Sequence, residues 1–119
     1  MGLAAHTVLV LSLGAAMTGA ETRYAVRYAP GVFEMVARNR GMTVERCMVA
    51  SPVHPLGAWV YVQGQTGVRL RCKVLDVSAP QDRPRHIRQR RIEVDPHSGA
   101  LLCGRQWEGK ASECKVKVQ

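Results

Sequence analysis

Aromatic residues are scarce in this chain of 119 residues, at 5% of the total, so any core must rest on Val, Leu, Ile and Ala. No Asp, Glu, Lys or Arg occurs before Glu21. The cysteines form no C-x-x-C pair, and no His stands at zinc-finger spacing from them, which argues against a metal site. No apolar run is long enough to span a bilayer: Val8 to Met17, interrupted by Ser12, is about ten residues. No internal repeat or second long apolar stretch is present, which excludes collagen, coiled coils and multi-pass membrane proteins. The length admits one domain of ordinary size and excludes a large multi-domain enzyme.

What the chain does contain is positive charge and four cysteines. Lys and Arg total 17 against 9 Asp and Glu, a net charge of +8, and 13 of the basic residues are Arg. With 46% apolar residues the chain can bury a core, so wholesale disorder is not expected. The uncharged, apolar N-terminus is followed by Thr18-Gly19-Ala20, a small-residue cleavage pattern. Residues 1–20 therefore read as a secretory signal peptide and 21–119 as the mature domain, destined for secretion or the cell envelope. Export implies an oxidising compartment, where Cys47, Cys72, Cys103 and Cys114 are expected to form two disulfides. Four cysteines allow three connectivities. Joining neighbouring segments favours Cys47–Cys72 with Cys103–Cys114, although the sequence leaves the choice open.

Along the mature chain, Thr22 to Tyr28 alternates as a strand and Pro30-Gly31 breaks it. Val32 to Arg40 fits a short helix, with Gly41 as its C-cap. Thr43 to Ala50, Trp59 to Val62, Val68 to Val77, Ile92 to Val94 and Lys115 to Val118 read as further strands, with Gly64 to Gly67 as a hairpin loop. Ser78 to Arg91 is polar, rich in Pro and Arg, and too irregular for a core element. Ser98 to Gly104 holds one or two helical turns. Many short strands with one or two short helices predict a mainly β fold, a small barrel or sandwich stapled by disulfides.

Three pieces fall in a particular order: Tyr28-x-Pro30-Gly31, then His54-Pro55-Leu56-Gly57-x-Trp59-Val60-x-Val62, then Val74-x-Asp76 with Pro80 beyond it. Arg91-Ile92-Glu93-Val94 and the apolar Ala100-Leu101-Leu102 follow. This arrangement resembles the six-stranded double-psi β-barrel of rare lipoprotein A-like proteins, related to barwin and expansins. The resemblance implies binding to cell-wall polysaccharide, peptidoglycan above all, with weak lytic transglycosylase activity and Asp76 as the acid. His54 and Glu45 are the candidate helpers. Ser51 stands where the family's lytic enzymes carry a His, and the family's upstream acid falls near Arg40 or Gly41, so binding is expected to outweigh cleavage. A carboxyl at a strand end can be half-desolvated and protonate a glycosidic oxygen; an Asp there can equally cap the loop that follows.

Asp82 to Arg91 places Arg83, Arg85, Arg88, Arg90 and Arg91 within nine residues. Guanidinium groups in such a cluster suit an anionic polymer, and for an exported chain that means a wall glycan or similar polyanion. Nucleic acid is disfavoured, since no aromatic is interleaved. Trp59 and Tyr61 are candidates for stacking on sugar rings, as is Trp107, with half-burial of the first two as the competing role. No cofactor, no membrane span and a monomer are expected. The competing functional reading is a non-enzymatic secreted module, an inhibitor or a defence-type barwin-like protein.

Overall fold

The computed structural model describes residues 9–11, 19–108 and 113–119, and the greater part of the expected leader lies outside them. The described strands are β1 (Leu9–Leu11), β2 (Glu21–Arg27), β3 (Met48–Ser51), β4 (Trp59–Gln63), β5 (Val68–Val77), β6 (Arg91–Val94) and β7 (Glu113–Val118). Three short helices, α1 (Val32–Arg40), α2 (Arg83–Arg88) and α3 (Pro96–Cys103), accompany them, and α3 runs on into a 3₁₀ turn at Gly104–Glu108.

Six strands close on themselves in the order β5-β3-β6-β2-β7-β4 and back to β5. The pairs β2–β6 and β3–β5 are parallel and the other pairs in the ring antiparallel. This closed, mixed, mainly β barrel is compatible with a double-psi barrel. β1 lies outside the ring, antiparallel to Val68–Leu70 of β5. Closure removes the exposed edges that an open sheet of this size would leave.

Strict alternation makes the interior. Val60 and Val62 of β4, Leu70, Cys72 and Val74 of β5, and Val116 and Val118 of β7 are all buried in one cluster. Leu102 and Trp107 close one end of that cluster. A second, smaller core lies outside the barrel wall, where Phe33 and Ala37 of α1 cover Met48, Ala50 and Leu75. Leu75 belongs to it by alternation, and β5 is irregular just there: Val49 pairs with Val74 but Ala50 pairs with Asp76. A bulge of this kind re-aims the following side chain, and here that side chain is Asp76.

Both disulfides pair neighbouring segments, Cys47–Cys72 and Cys103–Cys114. α1 spans the residues expected from its pattern, and Gly41 ends it in the left-handed region at φ 65°. Two expectations need adjustment. The strand expected from Thr43 begins only at Met48, since the segment before it runs as an irregular lead to the Cys47 bridge. The Pro- and Arg-rich stretch holds a helix, α2, which brings the helices among the described residues to three; Pro84 sits in its first turn, where a missing N–H costs nothing. No helix among the described residues is long and apolar enough to cross a membrane.

Candidate functional site

The bulge in β5 decides where the chemistry gathers. Ala50 of β3 pairs with Asp76 on one side and with Glu93 of β6 on the other. Two carboxylates therefore flank one small residue across three adjacent strands, their Cα atoms about 10 Å apart at ordinary strand spacing. Above Ala50 the surface opens into a groove of about 500 Å³. Tyr28, Arg40, Ser78, Asp82 and His86 complete its polar lining.

The carboxyl groups differ in their surroundings. Asp76 Oδ2 accepts from Tyr28 Oη at 2.7 Å, and Oδ1 accepts from Arg40 Nη2 at 2.9 Å and from the Val77 amide at 2.9 Å. Burial, reinforced by the hydrogen bond to Asp76, pushes the Tyr28 hydroxyl well above its ordinary value, so it stays protonated as a donor. Among the described residues Glu93 meets no such set of donors; Arg91 Nε approaches its Oε1 only to 3.8 Å. Burial pushes the Glu93 carboxyl above the usual range, Arg91 opposes the shift, and the charges of Asp76 and Asp82 add to it. The groove thus holds one pinned acceptor and one carboxyl inclined to keep its proton.

His86 supplies a third group. It is buried at the groove wall, and its Nδ1 lies 2.8 Å from Ser78 Oγ. Burial first, then the charges of Arg91 and Arg85, lower its pKa and hold the ring neutral at physiological pH. Among the described residues no cluster of three or more His, Cys, Asp and Glu could hold a metal ion.

Of the residues given a catalytic or binding role from the sequence, only Asp76 lines the groove. His54 lies in the β3–β4 connection, its Nδ1 2.8 Å from the buried Ser51 Oγ, which also accepts from the amides of Val53 and His54. That is a turn held by a serine, and burial lowers the His54 pKa. Glu45, in the lead to Cys47, is outside the groove lining as well. Trp59 and Tyr61 point outward from β4 on the barrel wall, and Trp107 is buried beneath α3 and closed off from any ligand.

The arginine run is divided. Arg83 Nε donates to the Pro52 carbonyl at 2.8 Å, Arg85 pairs with Asp82 at 3.1 Å, and Arg91 faces Glu93. Arg88 and Arg90 remain exposed on α2 and just beyond it. The polar groove residues to which the sequence assigns no site role are Glu93, Tyr28, Arg40, Ser78, Asp82 and His86. The signal for Glu93 is its alternation with buried Ile92 and Val94, and for Tyr28 its place in the Tyr-x-Pro-Gly turn. No protein-family model matches the chain, and no characterised protein matches it in sequence.

Proposed function

We propose that this protein is a secreted domain that binds cell-wall polysaccharide, in the manner of rare lipoprotein A-like barrels, and that its groove cleaves the glycan weakly with Glu93 as the proton donor. The observation that carries this reading is the pairing of Asp76 and Glu93 across Ala50, in one open groove, with opposed environments. Two carboxyls in unlike surroundings, one of them raised by burial, are recurrent equipment of glycoside cleavage. In this scheme Glu93 protonates the glycosidic oxygen, and the fixed negative charge of Asp76 stabilises the positive charge that develops on the sugar ring. The sugar's own 6-hydroxyl then attacks C1 and returns its proton to Glu93, leaving an anhydro-sugar and consuming no water. Two paired disulfides and the absence of a membrane-spanning helix among the described residues agree with an exported protein.

Purified protein incubated with intact peptidoglycan, followed by mass analysis of the released fragments, tests the reading. Slow release of anhydro-sugar ends, lost in Glu93→Gln, supports it. Binding without any release supports the competing module, for which the specific observation is that both oxygens of Asp76 are already engaged by Tyr28, Arg40 and Val77. No binding to the wall polymer at all would remove both readings.

A further inference from the structure

The outer wall formed by β4 and β5 carries a feature that the groove does not use. Leu70, Cys72 and Val74 face the core, so Arg69, Arg71 and Lys73 face outward along β5. Beside them on β4, the outward residues are Trp59, Tyr61 and Gln63, in register with Lys73, Arg71 and Arg69 respectively. None of these six outward positions is acidic. The cations rest on the rings: the Arg71 guanidinium lies 4.0 Å from the centroid of Trp59, Lys73 Nζ is 5.7 Å from the same ring, and Arg69 is 5.8 Å from Tyr61. Next along the wall, exposed Lys117 of β7 stands opposite Gln63. Rings that hold cations in place lower the entropy an ion pair would otherwise cost.

We infer that this wall binds a linear phosphodiester-linked polyol chain, laid along β5 with its phosphates on Arg69, Arg71 and Lys73. Alternate residues of a strand recur about every 6.7 Å, so the three basic positions of the row span about 13 Å along the backbone. A single phosphodiester chain with short carbon linkers repeats its negative charge at a similar interval. A single-stranded nucleic acid shares that backbone chemistry, but its bases would need free ring faces, and here the cations lie over Trp59 and Tyr61. The surface is separate from the Asp76 groove, so the inference stands whether or not the groove cleaves glycan.

The test is a titration of the full chain with poly(glycerol phosphate), with oligothymidylate and with a neutral glucan, at several salt concentrations. Wild-type protein should bind poly(glycerol phosphate) and not the glucan. Replacing Arg69, Arg71 and Lys73 together by Gln should weaken binding at least about tenfold and reduce the slope of log K against log salt by about 2, at about 0.7 for each phosphate no longer neutralised. Glu93→Gln should bind as the wild type does, which separates this surface from the groove. If the triple variant fails to fold, Lys73→Gln alone should lower the slope by about 0.7 while Arg71→Lys preserves it. A folded triple variant with unchanged binding, an unchanged slope in Lys73→Gln, or tighter binding of oligothymidylate than of poly(glycerol phosphate) would overturn the inference.

Discussion

Asp76 takes three donors, and that number decides what a substitution there does. Asp76→Asn keeps one oxygen for Arg40 and the Val77 amide but turns an amide nitrogen toward Tyr28. The ion pair to Arg40 is half-exposed and contributes little, so the loss should be about 1–2 kcal/mol, mainly from the Tyr28 bond. Chemical denaturation would measure it. Glu93→Gln should behave in the opposite way. Because burial raises the Glu93 carboxyl in the folded state, the native form holds that proton more tightly than the unfolded chain. The stability it contributes is fully present below the ordinary Glu range and is lost as pH rises through the raised value. The Gln variant should therefore flatten that part of the pH–stability curve and be no less stable than wild type at neutral pH. On the proposed mechanism, it should also lower glycan cleavage by about 10²-fold or more, whereas Asp76→Asn should cost less. Equal loss of cleavage in both variants would return the acid role to Asp76. Asp76 is legible in the sequence only through the resemblance, whose pattern sets an acid near the end of that strand. Glu93 is not, because β6 has only four residues and Glu93 stands just past a run of arginines that draws the reading toward a polyanion instead.

Among the elements, those with a periodic apolar face and a glycine stop can be read directly, and α1 is the clearest case, ended by Gly41. α2 cannot be read, since its ordering rests on tertiary contacts: the Arg83 bond to Pro52 and the seating of His86 against Ser78. β3 reads too long because Thr43 and Val44 have strand propensity but no partner strand beside them. α3 depends on a feature visible only in space. Asp95 caps it, accepting from the Ser98 amide at 3.0 Å, and its other oxygen accepts from the Met48 amide at 2.9 Å. Within the helix, Gly99 lies directly under the Trp107 indole, and a Cβ there would overlap the ring. Gly99→Ala should accordingly destabilise the protein by about 1–3 kcal/mol despite alanine's better helix propensity. The shift should be seen in thermal melting and in the near-ultraviolet dichroism of the displaced Trp107. A variant as stable as wild type would show that the 3₁₀ turn moves aside freely.

At the scale of the whole molecule, alternation tells which side chains point inward but not which strand lies beside which. The ring order β5-β3-β6-β2-β7-β4 joins residues far apart in sequence, so periodicity leaves barrel and sandwich both open, and the resemblance alone implies the closed six-stranded barrel. Such long-range pairings carry a large chain-entropy cost, and the two disulfides act on that cost. They close segments with separations of 25 and 11 residues, worth about 3.5 and about 3 kcal/mol in the chain-entropy model. Natural domains of this size are stable by on the order of 5–15 kcal/mol in total, so the bridges carry a substantial fraction of the fold's stability. Reduction should therefore leave a chain that is marginal at physiological temperature, with a melting point lowered by tens of degrees or no cooperative transition at all. The bridges differ in position as well as length. Cys47–Cys72 ties the start of β3 to the middle of β5, inside the barrel core, whereas Cys103–Cys114 ties the end of α3 to β7 at its lid. Replacing Cys47 and Cys72 by Ala should cost more than the same change at Cys103 and Cys114, and only the former should disturb the β3–β5 register that sets Asp76 beside Ala50. Glycan binding by the Cys103 and Cys114 variant, together with its loss in the Cys47 and Cys72 variant, is the expected pattern. If the fully reduced chain melts within a few degrees of the oxidised one, the barrel is self-sufficient, and the disulfides cease to be an argument that this fold requires an oxidising compartment.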